Sequence, residues 1–164
     1  MIARYQALVQ RIQMEVEELE RTQAAIQRHW QSARTTVGDQ DAYFNSVALN
    51  LQSWYSGLER IFELIAVELD CGALGGEAWH SELLRQMTLN LADVRPPVIR
   101  KEIAERLDEY RKFRHRIRNI YATGLDAARM QPLVVELPAL WAQIRQAVSA
   151  FSDFLSTLAR TDQS

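Results

Sequence analysis

Residues 110 to 121 carry Arg111, Lys112, Arg114, His115, Arg116 and Arg118 with no acid among them, in a chain whose formal net charge is only −2. A near-neutral protein that gathers positive charge on one short segment is presenting it to an anion. Arginines neutralise phosphate, a histidine can move protons near neutral pH, and Tyr121 can stack on a base or hydrogen-bond. Cutting RNA without metal needs a group to take the 2′-hydroxyl proton, one to protonate the leaving oxygen, and cations for the charged intermediate. His115 and its arginine neighbours meet part of that need.

The apolar residues of this segment have helical spacing. At roughly 100° per residue, Phe113, Ile117 and Ile120, with Tyr110 at the margin, make a narrow stripe toward the core. Arg111, Arg114, His115, Arg118, Asn119 and Tyr121 fall on the opposite face, within an arc of roughly 160°. Arg114, Arg118 and Tyr121 are spaced to converge on one small ligand. The alternative is a solvated basic face, or arginines paired with Glu102, Glu105, Asp108 and Glu109 a few turns earlier. Some clustering also has a structural cause, because cations near a helix C-terminus gain ~0.3–1 kcal/mol each.

The elements that carry this segment follow from period. Ile2, Tyr5, Leu8, Val9, Ile12, Val16, Leu19, Ile26 and Trp30 predict a helix over about 2–33. A second, more apolar helix over about 41–69 is the most buried, and Asp39 or Asp41 can cap it. Gly72, Gly75 and Gly76 form a plain connector to a shorter helix from Glu77 to Leu91. Arg95-Pro96-Pro97 breaks the chain, and the basic helix runs from Val98 to Tyr121. Gly124 and Asp126 end it. Pro132 and Pro138 then predict a short helix or turn before a final helix from Pro138 to Arg160. No strand-like alternation and no repeat is present, so the expectation is an all-α, mainly up-and-down bundle of four to five helices.

At 164 residues, with 48% hydrophobic and 24% charged, the chain has an ordinary globular composition. A single domain over 1–164 is expected, with the last few residues disordered. One cysteine, Cys71, excludes an internal disulfide and reads as inert. No apolar run spans a bilayer and no basic-then-apolar leader opens the chain, which predicts a soluble, cytoplasmic protein. Arginine makes up 17 of the 19 basic residues, which suits bidentate phosphate binding. A G+C-rich coding bias gives the same skew, so the excess decides nothing alone.

Three other features could bear on chemistry. Glu77 and His80 have the Glu-x-x-His spacing of di-iron bundles, but no second pair exists, so no metal site is expected. His80 reads as a helix-start residue packed beside Trp79, or as a member of the cleft. Glu59-Arg60 lies inside the most apolar helix, where charge is costly unless paired. It reads first as a solvent-facing turn, and otherwise Glu59 orients an arginine of the basic helix. Trp30, Trp54, Trp79 and Trp141 read as core or dimer interface.

Arg114-His-Arg-Ile-Arg-Asn119-Ile-Tyr121 resembles the Arg-x4-6-His-x-Tyr signature of HEPN-domain ribonucleases, in particular the HepT-like toxins. Asn50-Leu-Gln-Ser-Trp-Tyr-Ser-Gly-Leu-Glu-Arg-Ile-Phe62 is similar to their second helix. Trp79-His-Ser-Glu-Leu-Leu-Arg-Gln-Met87, and Leu125-Asp126 with Pro132-Leu-Val, resemble the same group. The resemblance implies a helical homodimer whose two motifs line a shared cleft and cut RNA with no cofactor or metal. It implies a minimal nucleotidyltransferase antitoxin that transfers AMP to the motif tyrosine, here Tyr121. Arg114 would hold the scissile phosphate, with Arg111 and Arg118 as further phosphate contacts. The signature histidine is Asn119 in this chain, and asparagine cannot transfer a proton near pH 7. His115, one turn earlier, could substitute. Otherwise the protein is a weak or inactive module that binds RNA or the nucleotidyltransferase through the same face.

Overall fold

The computed structural model describes residues 2–72, 75–120 and 124–161. Among them the chain forms five α-helices and no strand: α1 Ile2–Thr35, α2 Gln40–Leu69, α3 Trp79–Met87, α4 Lys101–Ile117 and α5 Ala127–Thr161. The expected all-α bundle is therefore the observed one. No described helix is long and apolar enough to cross a membrane.

α1 and α2 form an antiparallel hairpin, as the short connection between them requires. Their axes come close at Gly57, where an added Cβ would lie 2.9 Å from Leu19 Cδ2. Ion pairs close its rim, Arg60 Nε on Glu15 at 3.1 Å and Arg4 Nε on Glu68 at 2.7 Å. α5 packs along α1, and α4 leans on α2, α3 and α5. Leu51, Trp54, Leu58, Ile61, Phe62 and Ile65 make α2 the central element of one continuous core, which also takes in Leu107, Tyr110, Leu137 and Ile144. Trp30, Trp54 and Trp141 are core residues and Trp79 is half-buried.

α5 departs from expectation, since it runs unbroken through Pro132 and Pro138. Proline removes an N–H and crowds the carbonyl four residues back, which for Pro138 is Val134. Gln27 Nε2 on α1 donates to that carbonyl at 2.9 Å, and the Tyr110 hydroxyl on α4 donates to the adjacent Leu133 carbonyl at 2.8 Å. Gln27 thus supplies the partner that Pro138 removes, and Tyr110 adds a second donor beside it. At the N-terminus of α5, Asp126 Oδ1 accepts from the Ala128 amide at 2.9 Å.

Between α3 and α4 the chain turns through an isolated bridge, Leu91 to Arg95. Here Arg95 is wholly buried. Its Nε and Nη2 each lie 2.6 Å from an Asp70 carboxylate oxygen at the end of α2. Its remaining donors reach the carbonyls of Leu89, Pro96 and Gln86. This clip anchors the segment before α4, so α4 begins at Lys101, later than the expected Val98. Val98 and Ile99 are buried in the connecting segment instead.

Candidate functional site

The basic segment divides into paired and unpaired charge. Arg111 Nε binds Asp108 at 2.6 Å, and Lys112 Nζ lies 3.3 Å from Asp108 and 3.2 Å from Glu109. The Arg111 and Lys112 cations, together outweighing burial, hold the Asp108 carboxyl below the usual range. Two of the five cations are thus balanced by acids one turn earlier. Arg116 and Arg118 are exposed and have no ion pair among the described residues. His115 is exposed as well.

Arg114 is not on the solvent face that the helical projection assigned to it. Its side chain is only 4% exposed. The apolar stripe is narrower than the buried arc, because α4 is covered on one side by α5 and on the other by α2 and α3. The buried series Ile103, Leu107, Tyr110 and Arg114 steps along one face, so Arg114 completes a core stripe. Tyr110, expected at the margin, is fully buried, whereas Ile120, expected in the stripe, is 43% exposed. α4 ends at Ile117, one turn short of Tyr121.

The partner of Arg114 is Glu59 on α2. Nη1 and Nη2 donate to the two carboxylate oxygens at 2.9 and 3.0 Å, a bidentate pair. Glu59 is therefore not part of a solvent-facing turn, and the other reading, that it orients an arginine of the basic helix, is the observed one. A carboxylate inside an apolar helix requires such a cation. Arg60, its neighbour, does face outward, to Glu15. Nη1 of Arg114 also lies 3.1 Å from Ser56 Oγ, and its Cζ sits 4.7 Å from the centroid of the Tyr55 ring. Burial, reinforced by the Glu59 charge, pushes the Tyr55 phenol well above its ordinary range.

His80 on α3 completes the cluster. Its Nδ1 is 2.7 Å from Glu59 Oε2 and 3.1 Å from Arg114 Nη2. Its ring stacks on Trp79 with centroids 3.7 Å apart. So His80 both packs beside Trp79 and enters the polar cluster. The side chain is 30% exposed, against 9% for Glu59, which makes it the solvent edge of the group. Three helices thus meet at one charged, hydrogen-bonded point, and Arg118, one turn beyond Arg114, extends that face outward.

Asn119 is exposed, and its amide donates to the His115 carbonyl at 3.0 Å, closing the end of α4. Tyr121 and the C-terminal residues 162–164, expected to be disordered, lie outside the described residues. No group of histidine, cysteine and acidic side chains among the described residues is arranged to hold a metal ion.

The described helices form an all-α bundle with an arginine–carboxylate–histidine cluster near the end of a basic helix. A family model described as HepT-like protein matches residues 46–155, most of the chain. The protein belongs to the HepT-like family. No curated protein and no solved structure matches it.

Proposed function

We propose that this HepT-like protein is a toxin-type module that cuts RNA without a metal ion, at the outer end of α4. The observation that carries the reading is Arg118. It is an exposed cation with no ion pair among the described residues, one turn beyond the Arg114–Glu59–His80 cluster. Such a residue can meet a phosphate while the cluster behind it stays intact. Arg114 itself is engaged by Glu59, so direct contact with phosphate would require opening a buried bidentate pair. Its part in the reading is to hold the cluster, with the exposed His115 and Asn119 nearest the RNA, Tyr121 as the residue that is modified, and Arg111 as a secondary phosphate contact.

The reading includes a cytoplasmic homodimer and a minimal nucleotidyltransferase antitoxin. In that step the Tyr121 phenolate oxygen attacks the α-phosphorus of ATP, AMP is attached, and pyrophosphate leaves. Incubation with a cognate nucleotidyltransferase and ATP should raise the intact mass by one AMP, and Tyr121→Phe should prevent it.

A second reading has its own support. Asn119 cannot transfer a proton near pH 7, and its amide is tied to the His115 carbonyl. A non-catalytic module would bind RNA in a salt-sensitive way without making products, and Asn119→His would confer cleavage. Purified protein incubated with RNA in the presence of EDTA separates the two. Products that diminish with Arg118→Ala support the nuclease, and bound but intact RNA supports the module.

A further inference from the structure

An RNA-cleaving site needs a proton acceptor, and the position where the motif usually supplies one is Asn119. Among the described residues, His29 is tied to Ser46 Oγ between α1 and α2, well outside the basic end. That leaves His115 and His80. His115 is exposed on the last turn of α4, and no described side chain hydrogen-bonds its ring. Nothing fixes which of its nitrogens carries the proton or where the ring points.

His80 is held at Nδ1 and on one ring face. An ionised carboxylate can only accept, so the 2.7 Å contact between Glu59 Oε2 and His80 Nδ1 places the proton on Nδ1. In the neutral ring Nε2 then carries the free lone pair, and no described residue hydrogen-bonds it. Trp79, stacked at 3.7 Å with 31° between the planes, restricts rotation of the ring. Glu59 is fixed in turn by both η-nitrogens of Arg114, and Arg114 by Ser56 and the face of Tyr55. The 3.1 Å approach of Arg114 Nη2 to Nδ1 is that of two donors sharing Glu59 Oε2. A carboxylate that sets the tautomer and orientation of a partly exposed imidazole is the arrangement a general base requires.

Resting on the RNA-cleaving reading above, we propose that His80 supplies the proton transfer that Asn119 cannot, with Glu59 as its positioning residue. Nε2 takes the proton of a ribose 2′-hydroxyl while the 2′-oxygen bonds to the adjacent phosphorus. The bond from phosphorus to the 5′-oxygen breaks, and that oxygen leaves with a proton from water. The products are a 2′,3′-cyclic phosphate and a 5′-hydroxyl, and His80 returns its proton to solvent. Arg118 meets the non-bridging oxygens. The substrate must be RNA at the scissile residue, because a 2′-deoxy sugar has no proton to give.

The test measures cleavage rate and RNA affinity separately in the full-length protein. His80→Gln keeps a donor for Glu59 and is expected to lower the rate by about 10²–10⁴-fold with RNA affinity unchanged. His80→Ala, checked as folded by circular dichroism, should regain rate on addition of free imidazole. Glu59→Gln should lower kcat while leaving KM near the wild-type value, a split that mere loss of packing would not give. A 2′-deoxy substitution at the cut site should abolish the reaction. The inference is overturned, with the RNA reading intact, if His80→Gln cuts as fast as wild type or if His115→Gln alone accounts for the loss. Wild-type protein that cuts no RNA removes the reading and the inference together.

Discussion

Two arginines are buried against carboxylates in this bundle, and they differ in what stands beside them. Arg95 and Asp70 are sealed, with side-chain exposures of 0% and 2%. All five guanidinium donors of Arg95 are used, and Gln86 Nε2 donates to the Asp70 carboxylate at 2.7 Å. No histidine joins that cluster, and neither charged side chain reaches solvent. Arg114 and Glu59 have the same bidentate geometry, but their third partner is a partly exposed histidine. One pair fixes a loop. The other fixes a titratable group at the surface. Buried ion pairs are weak indicators of stability as such, so the neighbour of each pair is what separates scaffold from site.

The comparison can be broken by mutation. The largest effect is expected for Asp70→Ala, which strands the Arg95 cation in a dry environment. Urea unfolding should show a loss of about 3–5 kcal/mol with an unchanged slope. Glu59→Gln should cost less, about 1–3 kcal/mol, since the amide oxygen still accepts and water can enter beside His80. A larger loss at Glu59 than at Asp70 would reverse the assignment of scaffold and site.

Alkaline pH probes the region around Arg114. Burial, then the charge of Glu59, raises the Tyr55 phenol, and burial, then Glu136, raises that of Tyr110. A phenol whose folded pKa exceeds its unfolded value adds stability that is fully present below the unfolded pKa of 10.0 and is lost as pH rises above it. Each should contribute a fall of up to about 1.4 kcal/mol per pH unit, and Tyr55→Phe should remove one of the two contributions. The smallest effect on folding belongs to Arg118→Ala, within about 0.5 kcal/mol. The same variant should bind RNA more weakly and reduce the salt dependence of binding by about 0.7 in log–log slope.

Much of the fold was legible because α1 and α2 are long and strongly periodic. Their observed ends, Ile2–Thr35 and Gln40–Leu69, lie within two residues of those the pattern predicts. α5 was not, because what permits Pro138 inside a helix is a glutamine on α1, more than a hundred positions away. Membership of the HepT-like family was legible as a string of residues. The placement of Arg114 was not, since a periodicity argument sees the apolar stripe but not the helices that widen the buried arc. One signal did exist: Glu59, an acid inside the most apolar helix, demands a cation if it is buried. His80 carried a weaker one, and its role beside Glu59 depends on α3 folding back onto α2. The Asp70–Arg95 clip left no pattern, because Arg95 sits in an aperiodic segment before two prolines.

The most direct measurement is of the ends that the purified protein leaves on RNA in the presence of EDTA, read by mass spectrometry. Fragments ending in 2′,3′-cyclic phosphate and beginning with 5′-hydroxyl, formed by wild type and strongly reduced in Arg118→Ala, are the predicted result. RNA that is bound yet stays intact, or cleavage that stops when metal is removed, would contradict it.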